Sequence, residues 1–126
     1  MEKLPLVENK KIRVFALVWA EMYRHHKTIP GTFFEDIEFV GDGLKDLGFE
    51  MDCGRSLDEA IPNSGAFKDT ASLKKILDQI DIQTLGNAIY SQWRYFNHWN
   101  MSPMDEDDYE WFVVAFSRLA ELATDD

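Results

Sequence analysis

The chain has 126 residues, of which 45% are hydrophobic and 13% aromatic, and its formal net charge is −10. This length fits one domain spanning residues 1–126, and the hydrophobic content excludes an intrinsically disordered chain. The single cysteine excludes an intrachain disulfide, and the longest apolar run, from Val14 to Ala20, is far shorter than the roughly 20 residues that cross a bilayer. Both features predict a cytoplasmic protein outside the membrane.

The first predicted element is a helix from about Glu8 to His26. Apolar side chains recur in it at helical spacing: Ile12, Phe15, Trp19, Met22 and Tyr23. Three further apolar residues, Val14, Leu17 and Val18, widen this surface beyond a single stripe. We therefore expect this helix to be central in the fold.

The second helix is predicted to begin with a capping box, in which Thr32 and Glu35 each bind the backbone N–H of the other. Gly48 fits the left-handed residue that commonly ends a helix. Gly41 and Gly43 lie inside this element, and each costs about 1 kcal/mol relative to alanine, which weakens the prediction here.

Residues 49–70 form the least regular stretch of the sequence. A short turn is predicted from Ser56, with Glu59 completing a capping box and Pro62 ending the turn. Because the stretch has few apolar anchors, it is the best candidate for a mobile segment. A third main helix is then predicted over residues 70–80.

The last two predicted helices run from about Ile82 to Trp99 and from Pro103 onward. Ser102 fits the N-cap of the final helix, Pro103 its first position, and Asp105 the third residue after the cap. Since the two helices are so close in the chain, we expect them to form an antiparallel hairpin. No segment alternates like a strand, so the predicted fold is an all-α, single-domain, compact bundle of about five helices.

The helix over residues 82–99 is dense in aromatic side chains, and its apolar arc is about 180° wide. We expect this arc to lie in the core, with neighbours on two sides; the alternative is that Tyr95 or Trp99 is exposed at a partner-binding surface. Gln92 lies within the arc. Its amide is predicted to bond a helix end or a loop backbone, with a ligand contact as the alternative.

The opposite side of that helix carries a polar stripe whose members recur every three or four residues: Gln83, Asn87, Ser91, Arg94 and His98. The stripe contains no acid, although the chain has 23. It is interpreted either as a solvated face or as a groove wall, where Arg94 offers a planar fork for a carboxylate or phosphate and His98 can titrate near neutral pH. The candidate ligand- or partner-binding residues are therefore Asn87, Ser91, Gln92, Arg94 and His98.

The familiar catalytic and cofactor motifs are missing from the sequence. There is no phosphate-binding loop, GxGxxG, GxSxG, CxxC or HExxH, and the three histidines and one cysteine lack the spacing of metal ligands. We therefore expect no cofactor and no metal, and a binding role is favoured over an enzymatic one. A nucleophilic pair of Cys53 with a histidine stays open as a weak alternative.

Residues 85–99, LGNAIYSQWRYFNHW, together with Pro103-Met104-Asp105-Glu106 and Trp111-Phe112, resemble small bacterial proteins grouped as a domain of unknown function. The resemblance covers about residues 80–123, a third of the chain. It implies a bacterial source and a phage or mobile-element setting. It supplies no activity, cofactor or site residue.

The charge is unevenly distributed along the chain. Residues 1–27 carry six basic and three acidic side chains, whereas the rest carry seven basic and twenty acidic ones. An acidic body repels phosphate backbones, so direct nucleic-acid binding is not expected. The favoured interpretation is a non-enzymatic protein-interaction or regulatory module, one form of which is an acidic antagonist of a basic, nucleic-acid-binding protein partner. The alternative is a small-molecule or peptide-binding domain that uses the face of Ser91, Arg94 and His98.

Overall fold

The computed structural model describes residues 9–28, 37–99 and 104–123, without the side chains of Glu38, His98 and Trp99. These ranges contain six α-helices: α1 (Asn9–Arg24), α2 (Val40–Asp46), α3 (Arg55–Ala60), α4 (Thr70–Ile76), α5 (Ile82–Arg94) and α6 (Glu106–Leu122). They contain no strand, which confirms the predicted all-α fold; the short α3 is the helix beyond the five expected. No helix in these ranges has the length and apolar character needed to cross a membrane.

The first two predicted helices differ from the observed ones at their ends. α1 stops at Arg24 and is followed by turns over residues 25–28, so the predicted end at His26 is wrong by two residues. The capping box expected at the start of the second helix falls in residues 29–36, outside the described part of the chain. The next described element is a 3₁₀ turn, Ile37–Phe39, that leads into α2. Gly48 follows α2 with φ of 98°, which confirms the predicted left-handed residue.

Two further helices change geometry before they end. α4 is α-helical to Ile76, and the last turn of the predicted 70–80 helix, Leu77–Gln79, is a 3₁₀ turn. α5 is α-helical to Arg94, and the last turn of the predicted 82–99 helix, Tyr95–Trp99, is a π-helix. A π turn is wider than an α turn and is frequent at functional sites.

The final helix begins three residues later than predicted. Asp105 is its N-cap, in extended conformation, and Glu106 is its first helical residue. The Asp105 carboxylate accepts from the Asp108 N–H at 2.9 Å, and the Asp108 carboxylate accepts from the Asp105 N–H at 2.9 Å. This reciprocal pair satisfies two backbone donors, which is the physical reason that the helix starts here and not at Pro103 with Ser102 as cap. Both of those residues lie outside the described ranges.

The most extensive helix–helix contact joins α1 and α6. The Tyr23 ring stacks on Phe112 with centroids 4.5 Å apart, and Phe15 meets Phe116 at 6.1 Å. Since the later residue of α1 contacts the earlier residue of α6, the two helices are antiparallel. α5 also contacts α6, and in the π turn after α5 the Phe96 ring meets the Phe112 ring edge-on, with centroids 6.2 Å apart. The last helix therefore packs on its chain neighbour as expected, but chiefly on the first helix.

Only one side of α1 is buried. Its core residues are Ile12, Ala16, Ala20 and Tyr23, which are at most 2% exposed. The three apolar residues expected to widen its packing surface, Val14, Leu17 and Val18, are each about half exposed, at 52%, 51% and 52%. The expectation that these three residues widen the packing surface of α1 is therefore wrong.

Two glycines allow aromatic rings to approach a helix backbone closely. A Cβ on Gly41 of α2 would lie 2.4 Å from the Trp93 ring, whose indole N–H donates to Ile37 O at 2.7 Å. A Cβ on Gly86 of α5 would lie 2.0 Å from the buried Phe49 ring. Gly41, one of the two glycines that weakened the prediction of α2, is thus required by the packing of α5 against it.

The stretch 49–70 has more anchors in the core than its sequence indicates. Phe49, Leu57 and Ala66 are at most 3% exposed, and the Trp111 indole N–H donates to Ala66 O at 2.7 Å. The three anchors are eight and nine residues apart in the sequence, so no helical or strand repeat reveals them. The expectation of few apolar anchors is therefore wrong.

Candidate functional site

The first half of the polar stripe on α5 binds the backbone of the loop between α2 and α3. Asn87 is fully buried, and its Oδ1 accepts from the Glu50 N–H at 2.7 Å and from Gln83 Nε2 at 2.8 Å. Its Nδ2 donates to Ser56 Oγ at 3.2 Å, and Gln83 Nε2 also reaches Gly48 O at 3.4 Å. This part of the stripe is neither a solvated face nor a groove wall, because it is covered by the loop.

Asp52, which lies in this loop, adds hydrogen bonds within the loop and to α5. Its carboxylate accepts from the N–H groups of Gly54 and Ser56, both at 3.0 Å, and from the hydroxyls of Ser56 and Ser91. The Ser91 hydroxyl also accepts from the Gly54 N–H at 3.1 Å and is 2.8 Å from Asn87 O. We call the contacts of Asn87 and Ser91 with Glu50, Asp52, Gly54 and Ser56 the loop seam.

α3 begins at Arg55, one residue before the predicted start at Ser56. Gly54, with φ of 83°, is the N-cap of α3, and the Ser56 N–H that Glu59 was expected to bind donates to Asp52 instead. Burial raises the pKa of Asp52, but the hydrogen bonds from Ser56, Ser91 and Gly54 outweigh it and lower the pKa below the ordinary value. The carboxylate therefore stays ionised near neutral pH and holds the loop as an acceptor.

A cavity of about 620 Å³ opens beside the loop seam, at the end of α5. The loop contributes Met51 and Cys53, the turn before α4 contributes Phe67 and Lys68, and the first turn of α6 contributes Asp108. The end of α5 and its π turn contribute five residues: Ser91, Gln92, Arg94, Tyr95 and Phe96. The volume lies in the range of cavities that bind small organic molecules.

Two aromatic side chains in the wall of this cavity pack against buried rings of α6. The Phe67 ring stacks on the buried Trp111 with centroids 6.0 Å apart, and Phe96 rests against Phe112. Gln92 is 6% exposed, and its Nε2 donates to Phe67 O at 3.3 Å, which confirms the predicted bond to a loop backbone. Tyr95 is 50% exposed at the rim, so it is not a core residue.

The cavity lining carries two cations and one acid. Lys68 and Arg94 are basic, and both reach the lining together with Asp108. Burial, and the nearby acids Asp105 and Asp107, raise the pKa of Asp108 above its ordinary value. Because Asp108 also accepts the capping bond of α6, its carboxylate is partly used within the protein. The lining is therefore suited to an anion more than to a cation.

Of the five candidate residues from the sequence, three meet at this cavity: Ser91, Gln92 and Arg94. Asn87 lies under the loop and does not line the cavity. The side chain of His98 is outside the described part of the chain. Sequence reasoning missed Phe96, which it assigned to the core, and five residues from other segments of the chain: Met51, Cys53, Phe67, Lys68 and Asp108.

Metal chemistry finds no support in the described ranges 9–28, 37–99 and 104–123. No group of three or more histidine, cysteine, aspartate or glutamate side chains there is arranged to hold a metal ion. Cys53 is an exposed free thiol whose Sγ lies 3.9 Å from Met51 Sδ.

No protein-family model, curated protein sequence or solved structure matches this chain. The resemblance of residues 80–123 to a bacterial family therefore stays a prediction.

Proposed function

We propose that this protein is a non-enzymatic binding domain whose cavity takes an organic carboxylate with an apolar body. One observation carries the proposal. One cavity is lined by three of the candidate binding residues from the sequence, Ser91, Gln92 and Arg94. Lys68 and four apolar or aromatic side chains line the same cavity. Most small-molecule sites have this form, with apolar walls and a few polar groups that fix the orientation of the ligand.

The charges favour a carboxylate head group. Both Arg94 and Lys68 reach the lining; a guanidinium has parallel N–H donors that match the two oxygens of a carboxylate, and an ammonium adds a point charge. Met51, Phe67, Tyr95 and Phe96 supply the surface for an aliphatic or aromatic body. Either a free small molecule or the C-terminus of a peptide supplies this chemistry.

The polar groups nearest the cavity are used for structure, which favours binding over catalysis. The Ser91 hydroxyl is bonded to Asp52 and to Asn87 O, and Asp52 is bonded to the loop backbone. A serine nucleophile requires a base that accepts its proton during attack. Asp52, with its lowered pKa and several donors, is a weak base.

Titration with 3-phenylpropanoate, followed by amide NMR shifts, tests the proposal. We expect saturable shifts around residues 91–96 and Lys68, and binding weaker by about 10-fold or more for the neutral amide of the same acid, since hydrogen bonds to charged groups contribute about 1.5–3 kcal/mol. A peptide ending in a free phenylalanine carboxylate, compared with its amidated form, distinguishes a peptide ligand from a free small molecule.

Matched charge variants locate the binding site. Arg94→Gln and Lys68→Gln are expected to weaken the carboxylate by about 10-fold each, whereas Lys75→Gln, at an exposed position outside the cavity, leaves it unchanged. Equal binding of the acid and its amide, or shifts that do not map to the cavity, would contradict the proposal.

A second candidate function is the acidic antagonist of a basic protein. It is supported by five acids that are exposed on and around α2 and α3: Asp42, Asp46, Glu50, Asp58 and Glu59. Binding through this surface is expected to weaken steeply as the salt concentration rises. Capture of a basic protein that is unchanged between low and high salt would contradict this candidate.

A further inference from the structure

The exposed side of α1 carries an apolar patch with a charge at each end. Val14, Leu17 and Val18 follow helical spacing, so they form one continuous patch, and each is about half exposed. Lys10 lies one turn before the patch, and Glu21 lies four residues after Leu17 and three after Val18. We call these five residues the outer face of α1.

The two charged residues of the outer face, Lys10 and Glu21, lie at the ends of α1 where the helix dipole disfavours their charge. A helix favours acids at its N-terminus and bases at its C-terminus. In α1 the first turn contains Lys10 and Lys11 and no acid, while the helix's one acid, Glu21, lies near the other end. Glu21 forms an ion pair with Arg24, and its Oε2 lies 3.2 Å from His25 Nε2. Within the described ranges no ion pair of Lys10 is found, so the stability of α1 alone does not explain this placement.

We propose that the outer face of α1 is a self-association surface for a second copy of this chain. Two α1 helices related by a two-fold axis run antiparallel and present the same residues to each other. The register that sets Val14 opposite Leu17 also sets Lys10 opposite Glu21, because both pairs have the same midpoint along the helix. Each lysine then faces the acid and the negative helix end of the other copy.

The expected dimer is weak. The outer face is one helix wide, so the contact belongs to the small class of interfaces that bury less than about 1,200 Å² in total. We therefore expect self-association only in concentrated solution, at roughly 0.1 mM and above.

Sedimentation equilibrium of the full chain between about 10 µM and 1 mM, at low salt, tests the proposal. Leu17→Gln is expected to abolish the dimer, whereas Phe39→Gln, at an exposed aromatic residue outside both α1 and the cavity, leaves it unchanged. Lys10→Glu and Glu21→Lys are each expected to weaken dimerisation by about 5- to 30-fold, because each creates two like-charge pairs across the axis.

Mixing the two charge variants separates a specific pairing from general damage. In the mixed dimer of Lys10→Glu with Glu21→Lys, both cross-pairs are again opposite in charge, so we expect recovery to within about 3-fold of the original affinity. A monomer at all concentrations, a dimer insensitive to Leu17→Gln, or no recovery on mixing would overturn the proposal. Circular dichroism confirms that each variant is folded, and no ligand is used, so the result is independent of the cavity.

Discussion

Replacing Gly86 by alanine is expected to lower the free energy of unfolding by about 2 kcal/mol or more. At an ordinary helical position the same change stabilises by about 1 kcal/mol, because alanine has the highest helix propensity. Here the new Cβ would lie 2.0 Å from Cδ1 and 2.1 Å from Cε1 of Phe49. That ring is 3% exposed and cannot move aside without opening the core around it. Urea unfolding followed by circular dichroism measures the change.

Two further variants isolate the steric cause of this effect. Thr84→Ala, at a half-buried position of the same helix, is expected to change the free energy of unfolding by less than about 0.5 kcal/mol. Phe49→Leu removes the ring that the new methyl group meets, so Gly86→Ala is expected to cost less in that background. If Gly86→Ala alone made the protein more stable than the original, helix propensity would outweigh the contact with Phe49.

Replacing Asn87 by leucine is expected to destabilise the protein by about 2–4 kcal/mol. Leucine has a similar volume but leaves the Glu50 N–H without its 2.7 Å acceptor and removes the donor to Ser56. Because Asn87 is fully buried, water does not replace these bonds without entering the core. Urea unfolding measures the loss, and hydrogen exchange of the Glu50 amide shows whether the loop opens locally.

The same variant shows whether Asn87 contacts a ligand directly. Gln83→Ala, at a half-buried position beside it, is the control, and we expect it to cost about 1 kcal/mol or less. If Asn87→Leu left stability and Glu50 exchange unchanged but abolished carboxylate binding, its assignment to the loop seam would be wrong. The original prediction of Asn87 as a binding residue would then be favoured.

Local periodicity was sufficient to predict that the apolar side of α5 contributes to the core. Leu85 and Ile89 are fully buried, and Gln92 is 6% exposed with its amide bonded to a loop backbone as expected. These properties depend on positions three and four residues apart, which a helical repeat defines directly. The helical part of the fold was predictable for this reason.

The role of the polar stripe was not predictable in the same way. Asn87 and Ser91 are as suitable for a solvated face as for a buried contact, and their partners Glu50 and Gly54 are each 37 residues away in sequence. No repeat relates positions so far apart. The walls of the cavity come from chain segments that are equally distant, so no motif spacing marks them.

One short segment, residues 91–96, contributes half of the residues that line the cavity. Five of the six residues from 91 to 96 line the cavity, and the sixth, Trp93, turns away to bond Ile37 and cover Gly41. At about 100° per residue, these five span roughly half of the helix circumference, so the cavity wraps around the helix end. Point substitutions within this hexapeptide that keep Trp93 as the anchor are therefore expected to change the shape and charge of the cavity without rearranging the bundle.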